Sequence, residues 1–395
     1  MVARLHGNLH IKRGNLVKYT FFIERNVFML IDVIKQAIIK NDGAISFEQF
    51  MSLCLYSPGF GYYSGGGAVF GEGGDFITAP EISPLYGKCL ANQIADVYQK
   101  DFDVLELGAG TGKLALDILQ RLDALNALPN TYYILEVSGS LKARQQAFLM
   151  DYPALFKRCQ WLDSWPKMPI KGAVLANEVL DAMPATLFRK GVDATIEKAF
   201  VMVDEQQENT FHCLWQTADK ALTKTVNALG PLPVGYQSEI NESIAPWLAS
   251  LSDSLSEGLI LLIDYGFDRS TYYHPDRSSG TLMCHYQHKS HPDPFLHLGE
   301  QDMTAHVDFT AVAEAAFELG FDISGYTHQA AFLIGNGITN DLDELSEEAR
   351  FKANHAIKML TMPQEMGELF KVMALTKQCD AALKGFELID QRMKL

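Results

Sequence analysis

The amino-acid sequence predicts an α/β fold built around a mostly parallel β-sheet. Apolar, strand-like runs alternate along the chain with stretches of helical periodicity, and a glycine-rich turn joins the first such strand of the main domain to a helix. Alternation of this kind is typical of strand–helix–strand units, which give parallel sheets. The predicted strands are 103–107, 131–136, 172–176, 197–203, 258–263 and 370–376, with a further strand ending near "CQWLDSW" at residues 159–165.

The composition is that of an ordinary globular protein. Of 395 residues, 48% are hydrophobic and 21% charged, which excludes a fibrous or largely disordered chain. No apolar run approaches the roughly 20 residues of a membrane-spanning helix. The net charge of −15, without a basic stripe, argues against a nucleic-acid partner. Six scattered cysteines with no C-x-x-C pair predict reduced thiols in a reducing compartment.

Residues 1–28 and 29–100 differ from the rest of the chain. The first segment carries five basic side chains and one acidic one, with neither a serine nor a secretory signal. We predict a disordered leader there, with a mitochondrial presequence as the alternative. The second segment combines a helical pattern, a capping box at Ser46 and Gln49, and a glycine-rich, aromatic stretch at 57–83. This stretch predicts a structured loop that approaches a ligand closely.

Residues 101–395 form the predicted main domain, interrupted by three insertions. Around 185–255 the pattern includes an antiparallel hairpin. Residues 268–306 are rich in His, Pro, Asp and Gly, and are too long for a simple connection. Residues 341–361 predict an acidic amphipathic helix.

The glycine-rich turn restricts the class of ligand. Gly108, Gly110 and Gly112 follow a strand directly, so that a ligand can lie against bare backbone. Lys113 excludes the G-x-G-x-x-G dinucleotide pattern, and Leu107 and Leu114 stand where a P-loop needs Gly and Ser or Thr. The remaining pattern, E-x-G-x-G-x-G beginning at Glu106, resembles the S-adenosylmethionine loop of class I methyltransferases.

The ends of the next two predicted strands supply further candidates for donor binding. Glu136 could accept hydrogen bonds from both ribose hydroxyls, although it could also be a solvated charge at a strand end. Trp161 could pack on the adenine ring and Asp163 could accept its amino group. The alternative for this pair is a buried tryptophan beside a surface aspartate.

The strand that ends at Ala176 precedes Asn177, Glu178 and Asp181, the candidate catalytic residues. Catalytic groups of open α/β sheets lie at such carboxyl ends. Two carboxylates beside a sulfonium donor suit a cationic acceptor, and a guanidinium pairs with carboxylate in a bidentate manner. For Asp181 the alternative is a helix N-cap. The segment lacks the N-P-P-aromatic pattern of methyltransferases that act on nucleic-acid bases.

Together these motifs resemble the MidA-like methyltransferases, bacterial relatives of a mitochondrial protein arginine methyltransferase that assists assembly of respiratory complex I. The resemblance runs from about residue 30 to about residue 378. It implies a class I methyltransferase fold, with a Rossmann-like, seven-stranded, mostly parallel sheet, an N-terminal helical segment and insertions that cap the site. The motifs are "FGEGGDFITAPEIS" (70–83), "LELGAGTG" (105–112), "ANEVLDAMP" (176–184), "LIDYGF" (262–267), "GEQDMTAHVDF" (299–309) and "GELFKVMALTK" (367–377).

The resemblance also implies site residues, a cofactor and partners. S-adenosyl-L-methionine is the expected donor. Asp75, Thr78, Pro80 and Glu81 are expected to line the donor cleft. His306 lies in a covering loop with Gln301, Asp302 and Thr304, and is a candidate for proton handling. No metal is predicted, because the histidines at 285, 288 and 291 lack a helical frame and a cysteine pair.

The expected acceptor is arginine of a protein substrate, with a complex I subunit as the candidate. The chain would act in the bacterial cytoplasm, or in the mitochondrial matrix if residues 1–28 are a presequence; a homodimer is a candidate assembly. Two alternatives stay open. One is a donor-binding assembly factor with weak or no catalysis, and the other is a methyltransferase that acts on a small molecule.

Overall fold

A computed structural model of the protein describes residues 13–65, 78–207, 209–340 and 342–395. Residues 66–77 of the glycine-rich stretch, which include Asp75, lie outside the described residues. The strands, numbered in chain order, are β1 (Ile45–Ser46), β2 (Asp103–Leu107), β3 (Tyr132–Leu135), β4 (Cys159–Leu162), β5 (Ile170–Asn177), β6 (Thr186–Lys190), β7 (Ile196–Val203), β8 (Phe211–Thr217), β9 (Gln237–Ile240), β10 (Leu255–Phe267), β11 (Met283–Tyr286), β12 (Lys289–His291), β13 (Asp302–Thr304), β14 (Val307–Asp308), β15 (Asp322–His328) and β16 (Phe370–Lys377).

The helices of the described residues are likewise numbered in chain order. They are α1 (Arg13–Lys40), α2 (Phe47–Tyr56), α3 (Ala79–Ile82), α4 (Pro84–Asp96), α5 (Lys113–Ala124), α6 (Gly139–Leu149), α7 (Pro153–Phe156), α8 (Lys220–Ala228), α9 (Ile244–Ser254), α10 (Arg269–Tyr272), α11 (Phe309–Glu318), α12 (Gln329–Gly335) and α13 (Glu347–Thr361). Three short 3₁₀ turns lie at Leu342–Glu344, Lys384–Phe386 and Arg392–Lys394. Among the described residues, no helix has both the length and the apolar character needed to cross a bilayer.

The main sheet confirms the predicted fold class. Its strand order is β15-β16-β10-β5-β2-β3-β4, and the short β14 pairs with β10 beside this path. The pairs from β10 to β4 are parallel, whereas β16 runs antiparallel to both of its neighbours. Sequence analysis did not locate β15. Register places the carboxyl ends of β2, β3, β5 and β10 along one edge, where a ligand can reach all four.

Two apolar cores hold the helices to this sheet. Successive side chains of a strand point to opposite faces. Val104 of β2 therefore packs with Ile118 of α5 on one face, while Leu105 packs with Leu248 of α9 on the other. The neighbouring strand β5 is buried on both faces from Gly172 to Ala176, and this part of its sequence is continuously apolar, as is typical of a central parallel strand.

A second, antiparallel sheet holds the predicted strand 197–203, which sequence analysis grouped with the parallel strands. This strand is β7, and the sheet has the order β1-β7-β6-β9, with β8 also paired to β7. Three side chains of β7 are buried, those of Ile196, Ala199 and Val201, and the others are partly exposed, as expected of a strand in an antiparallel sheet outside the main core. The hairpin expected near 185–215 is present as β6, β7 and β8.

The N-terminal segment packs on this second sheet. α1 begins at Arg13 and so includes residues 13–28, which sequence analysis assigned to a disordered leader. Buried Ile34 and Ile38 recur at helical spacing, and they share an apolar cluster with Phe50 of α2 and Val201 of β7. Ser46 caps α2, because its Oγ accepts a hydrogen bond from the Gln49 N–H at 3.2 Å.

The other two insertions also contain regular structure. Residues 268–306 include a three-stranded sheet of order β12-β11-β13. This sheet brings Asp302 opposite His285 and places the loop against the edge of the main sheet where the strands end. The region predicted as an amphipathic helix at 341–361 contains α13.

Candidate active site

The glycine turn between β2 and α5 has a backbone conformation that residues other than glycine rarely adopt. Gly108, Gly110 and Gly112 have φ angles of 66°, 52° and 86°. In this left-handed region a Cβ atom is strained, and a branched one strongly so. The Gly108 N–H donates to the Leu135 carbonyl at 3.0 Å, which ties the turn to the end of β3. The turn therefore presents bare backbone to the cleft, as predicted.

A buried hydrogen-bond network fixes Glu136 beside this turn. Its carboxylate accepts from the Ser138 N–H at 2.9 Å and from Gln145 Nε2 at 2.9 Å. The same Gln145 nitrogen donates to the Gly110 carbonyl at 3.0 Å, while Gln145 Oε1 accepts from Trp161 Nε1 at 2.9 Å. Burial raises the pKa of Glu136, and these donors oppose that effect. Each oxygen still has a lone pair for a ligand hydroxyl.

A cavity of about 520 Å³ opens over the turn and Glu136. Its walls include the two tryptophans Trp165 and Trp247, whose ring centroids lie 6.4 Å apart in an edge-to-face arrangement. Both rings are only partly buried, so each has surface that a planar ligand ring could cover.

The predicted adenine contacts Trp161 and Asp163 do not border this cavity. Trp161 packs against Phe156 of α7, at 5.9 Å between ring centroids, and supports Gln145 through its N–H. Asp163 points into solvent, with 87% of its side chain exposed, and pairs with Lys142 at 2.6 Å. We therefore correct the prediction: Trp165 replaces Trp161 as the candidate adenine contact, and Trp161 is a positioning residue.

A short segment before α4 closes the other side of the turn. Thr78, Pro80 and Glu81 line a narrow cavity of about 60 Å³ together with Gly108 and Gly110. The Thr111 hydroxyl donates to Glu81 Oε1 at 2.5 Å, and Lys113 Nζ donates to the Glu81 carbonyl at 3.1 Å. These two bonds hold α3 against the turn.

Glu106 lies beneath this narrow cavity, which it also lines. It is 3% exposed and accepts from the Tyr132 hydroxyl at 2.9 Å. Burial raises the pKa of Glu106 to about 8. A neutral carboxyl group can donate a hydrogen bond. Glu106 therefore both holds Tyr132 and lines the cavity, where it could donate to a ligand.

The end of β5 places Asn177 and Glu178 at the centre of the site. Asn177 accepts from the Tyr86 hydroxyl at 2.5 Å and donates to Glu178 Oε1 at 3.0 Å. Glu178 itself has a φ of 54°, an uncommon conformation outside glycine that is held by its N–H bond to the Ile263 carbonyl. Burial, followed by the charge of Asp181, raises the pKa of Glu178 to about 8.

Asp264 of β10 fixes the turn that follows Glu178. One of its oxygens accepts the N–H groups of residues 179, 180 and 181, at 2.9 to 3.2 Å. This turn leads towards β6, not into a helix. The helix-cap alternative for Asp181 is therefore wrong. Asp181 is 5% exposed, and burial and the nearby Asp264 and Asp302 raise its pKa.

A second cavity, of about 350 Å³, contains the carboxylates Glu178, Asp181 and Asp302. We call it the acidic cavity. Asp302 accepts from the Tyr63 hydroxyl at 3.0 Å. The other residues that line the acidic cavity include Tyr62, Thr78, Tyr265, Arg277, Thr281 and His306. Sequence analysis placed Asp302 only in the covering loop, and it did not find Tyr63 or Arg277, because no local motif marks them.

His306 lies on the wall of the acidic cavity. Its ring stacks on Tyr265 at 6.0 Å between centroids, and its Nδ1 has no hydrogen-bond partner within the part of the chain that the structure describes. Burial, with smaller contributions from the charges of Arg277 and Lys371, lowers the pKa of His306 to about 4. The imidazole is thus neutral near pH 7 and could accept a proton; this role stays a prediction.

The three cavities meet at Glu178, which lines all of them, and the glycine turn borders two. A donor held on the turn and Glu136 would face the carboxylates of the acidic cavity across Glu178. The described residues contain no cluster of three His, Cys, Asp or Glu side chains that could hold a metal ion.

The sheet order and the strand-end site define a class I methyltransferase. A sequence model described as "Putative S-adenosyl-L-methionine-dependent methyltransferase" matches residues 89–327, and the chain belongs to this family. This confirms the resemblance to MidA-like proteins, and the methyl donor is S-adenosyl-L-methionine.

Known relatives agree with this assignment. A Burkholderia thailandensis crystal structure bound to S-adenosyl-homocysteine is 38% identical, with a TM-score of 0.90, and the match covers 94% of this chain and 98% of that one. The mitochondrial "Protein arginine methyltransferase NDUFAF7 homolog" of Drosophila melanogaster is 29% identical over 376 residues, covering 86% of this chain and 83% of the fly protein. The human mitochondrial NDUFAF7 protein is 27% identical over 378 residues, covering 85% of this chain and 81% of the human protein.

Proposed function

We propose that this methyltransferase acts on an arginine side chain of a protein substrate. The observation that carries the proposal is the acidic cavity, in which Glu178, Asp181 and Asp302 line one space next to the donor cleft. Three clustered carboxylates favour a cationic acceptor, and the planar guanidinium matches carboxylates by paired hydrogen bonds. The names of the fly and human relatives, which are protein arginine methyltransferases, support this choice.

In this proposal Glu178 binds the acceptor at the junction of the cavities. The donor supplies an electrophilic methyl group, and the protein has to bring a guanidino nitrogen into line with it. A carboxylate pair on one side of the guanidinium draws its charge away from the nitrogen that attacks. Asp302, oriented by Tyr63, would hold the opposite edge. Neutral His306 is the candidate for the proton released as the new N–C bond forms.

The substrate and compartment extend the same proposal. The resemblance to MidA-like proteins favours a subunit of respiratory complex I as the substrate. The higher identity to a Burkholderia protein, 38% against 29% for the fly relative, favours a bacterial cytoplasm over the mitochondrial matrix. The predicted homodimer stays a prediction that light scattering can check.

The test is transfer of labelled methyl groups from S-adenosylmethionine to a lysate of cells that lack this gene. Acid hydrolysis and mass spectrometry of the labelled protein should then find methylarginine. Glu178→Gln should transfer at least about a hundredfold more slowly, which corresponds to about 2.7 kcal/mol, while binding the donor normally. Glu365→Gln, an exposed carboxylate change remote from the site, is the control.

Label found in small molecules alone would contradict the proposal in favour of a small-molecule methyltransferase. Donor binding without any transfer would favour the non-catalytic assembly factor. If Glu178→Gln transferred at the wild-type rate, the carboxylate would not hold the acceptor, and the arginine assignment would lose its structural support.

A further inference from the structure

Arg277 brings a positive charge to the wall of the acidic cavity. It lies between α10 and β11, and its guanidinium carbon is 4.1 Å from the centroid of the Phe267 ring. Stacking on an aromatic face fixes the plane of a guanidinium and leaves the N–H groups at its edge available.

The guanidinium of Arg277 has no bonded partner among the residues that the structure describes, although it lines the same cavity as three carboxylates. No ion pair or side-chain hydrogen bond of Arg277 is found there. The other arginine of this loop, Arg269, differs, because it pairs with Asp308 at 3.2 Å and with Glu314 at 2.6 Å. A partly buried guanidinium without a partner is costly, so a ligand anion would stabilise it.

The neighbouring basic groups do not replace Arg277 in this role. His306 lies 5.3 Å from the Phe267 ring and is neutral near pH 7, since burial lowers its pKa to about 4. Lys371 lies 5.3 Å from the same ring, but its ammonium donates to two backbone carbonyls of the preceding turn and is 6% exposed. Among the described residues that line the acidic cavity, Arg277 is thus the one permanent cation, and the other basic side chains there, His285 and His306, are imidazoles.

We propose that Arg277 is a specificity residue that binds a carboxylate of the substrate, that of an aspartate or glutamate flanking the acceptor arginine. The inference rests on the proposed function, since the three carboxylates of the same cavity bind the acceptor guanidinium. In this arrangement the acidic cavity binds two charged groups of the substrate. Its carboxylates bind the acceptor guanidinium, and Arg277 binds the neighbouring carboxylate. A neutral or basic residue at the same position would leave Arg277 desolvated and unpaired.

The test uses a library of acetylated, amidated peptides with a central arginine and three degenerate positions on each side. Methylated products are sequenced by mass spectrometry. Wild type should favour Asp or Glu at one flanking position by about tenfold, the size of one charge-assisted hydrogen bond. Arg277→Gln should lose this preference, and Arg277→Glu should favour Lys or Arg at the same position. Arg350→Gln, on exposed α13, is the matched control and should keep the preference.

Two results would overturn the assignment. The first is an acidic preference that Arg277→Gln retains, or no flanking preference in the wild type. The second is a tenfold loss of S-adenosylhomocysteine affinity in Arg277→Gln, because Arg277 would then bind the carboxylate of the donor. Titration of that product should instead give affinities within twofold, which also shows that the variant is folded.

A free amino acid is a second source of the same carboxylate. Free L-arginine is therefore compared with agmatine, which has the guanidinium but no carboxylate. If Arg277 were needed to prefer L-arginine over agmatine while peptides showed no preference, the flanking-residue form of the proposal would be wrong.

A binding experiment without methyl transfer distinguishes a failure of this inference from a failure of the proposed function. The library is passed over immobilised protein loaded with S-adenosylhomocysteine, and retained peptides are sequenced. Retention of acidic-flanked arginine peptides by wild type but not by Arg277→Gln supports the inference even if no methyl group is transferred, in which case only the proposed function fails. If wild type retains no such peptide, the inference is overturned.

Discussion

At the scale of single residues, Gly110 decides whether the donor binds. Its φ of 52° is unfavourable for a branched residue, and its carbonyl is already held by Gln145. We expect Gly110→Val to abolish S-adenosylmethionine binding, measured by isothermal titration, while the protein stays folded. Gly230→Val is the control, because that glycine also has a positive φ but lies far from the cleft, with no atom within 4 Å of where a Cβ would stand. Unchanged donor affinity in a folded Gly110→Val protein would contradict the assignment of the turn.

Glu136 and Gln145 should act on the donor as a unit. Removing the Glu136 carboxylate takes away charge-assisted hydrogen bonds worth about 1.5–3 kcal/mol each, so Glu136→Ala should weaken donor binding at least tenfold. Gln145→Leu removes the donor to Glu136 Oε2 and to the Gly110 carbonyl, while the Ser138 N–H still donates to Glu136 Oε1, and it should weaken donor binding about tenfold. The double variant should bind the donor only slightly more weakly than Glu136→Ala alone, because both changes remove the same interaction of Glu136 with the donor.

The control for this cycle is Gln329→Leu. Gln329 is also fully buried and donates to a backbone carbonyl, that of Leu360, on a different helix. Its replacement should lower the melting temperature without a selective effect on donor affinity. Additive losses in Gln145→Leu and Glu136→Ala would show instead that Gln145 acts only through general stability.

At the scale of elements, two hydrogen bonds from the side chains of Thr111 and Lys113 to Glu81 hold α3 over the donor cleft. Thr111→Val removes the hydroxyl that Glu81 accepts and keeps the volume. We expect KM for S-adenosylmethionine to rise about three- to tenfold, the size of one typical intramolecular hydrogen bond, with kcat nearly unchanged. Thr111→Ser should restore the wild-type KM. A fall in kcat at constant KM would place the bond in the chemical step instead.

Local sequence patterns predicted the elements that border the donor turn. The same patterns missed contacts between residues that are far apart in the sequence. The three glycines and Glu136 follow directly from strand ends in the sequence. Trp161 lies within β4, packs against the α7 core and does not border the cleft, while Trp165 follows the strand and lines the cleft. No sequence spacing distinguishes these two positions without knowledge of where the strand ends.

The acidic cavity shows the same limit more strongly. Tyr63 and Asp302 are 239 residues apart and still form a hydrogen bond. Asp181 resembled a helix cap because a polar residue followed by apolar ones is a common helix start. Asp264, more than eighty residues later, instead holds that segment in a turn. Such contacts depend on the packing of the inserted loop on the sheet edge, which residue types alone do not specify.

At the scale of the whole molecule, the site makes the fold sensitive to pH. The folded-state pKa of both Glu106 and Glu178 is about 8, against 4.5 in an unfolded chain. Below pH 4.5 both states are protonated, and the contribution of these groups to stability is fully present. As pH rises towards 8 only the unfolded state loses protons, so the free energy of unfolding falls, and the contribution is lost once the folded groups ionise as well.

We therefore expect the ligand-free protein to melt at a lower temperature at about pH 8.5 than at about pH 6.5, by about 1–2 kcal/mol for each group; at about 2–4 °C per kcal/mol this is several degrees. Glu178→Gln should remove only part of this decrease, because burial also raises the pKa of Asp181 and Asp264, and Glu387→Gln, on the surface, should remove none of it. Methyl transfer should have the opposite dependence and rise over the same pH interval, because only ionised Glu178 can pair with a guanidinium. Calorimetry and initial rates on the same samples measure both. If Glu178→Gln melted with the wild-type pH dependence, Glu178 would already be ionised at neutral pH in the free protein, and the rise in activity would have to come from another group.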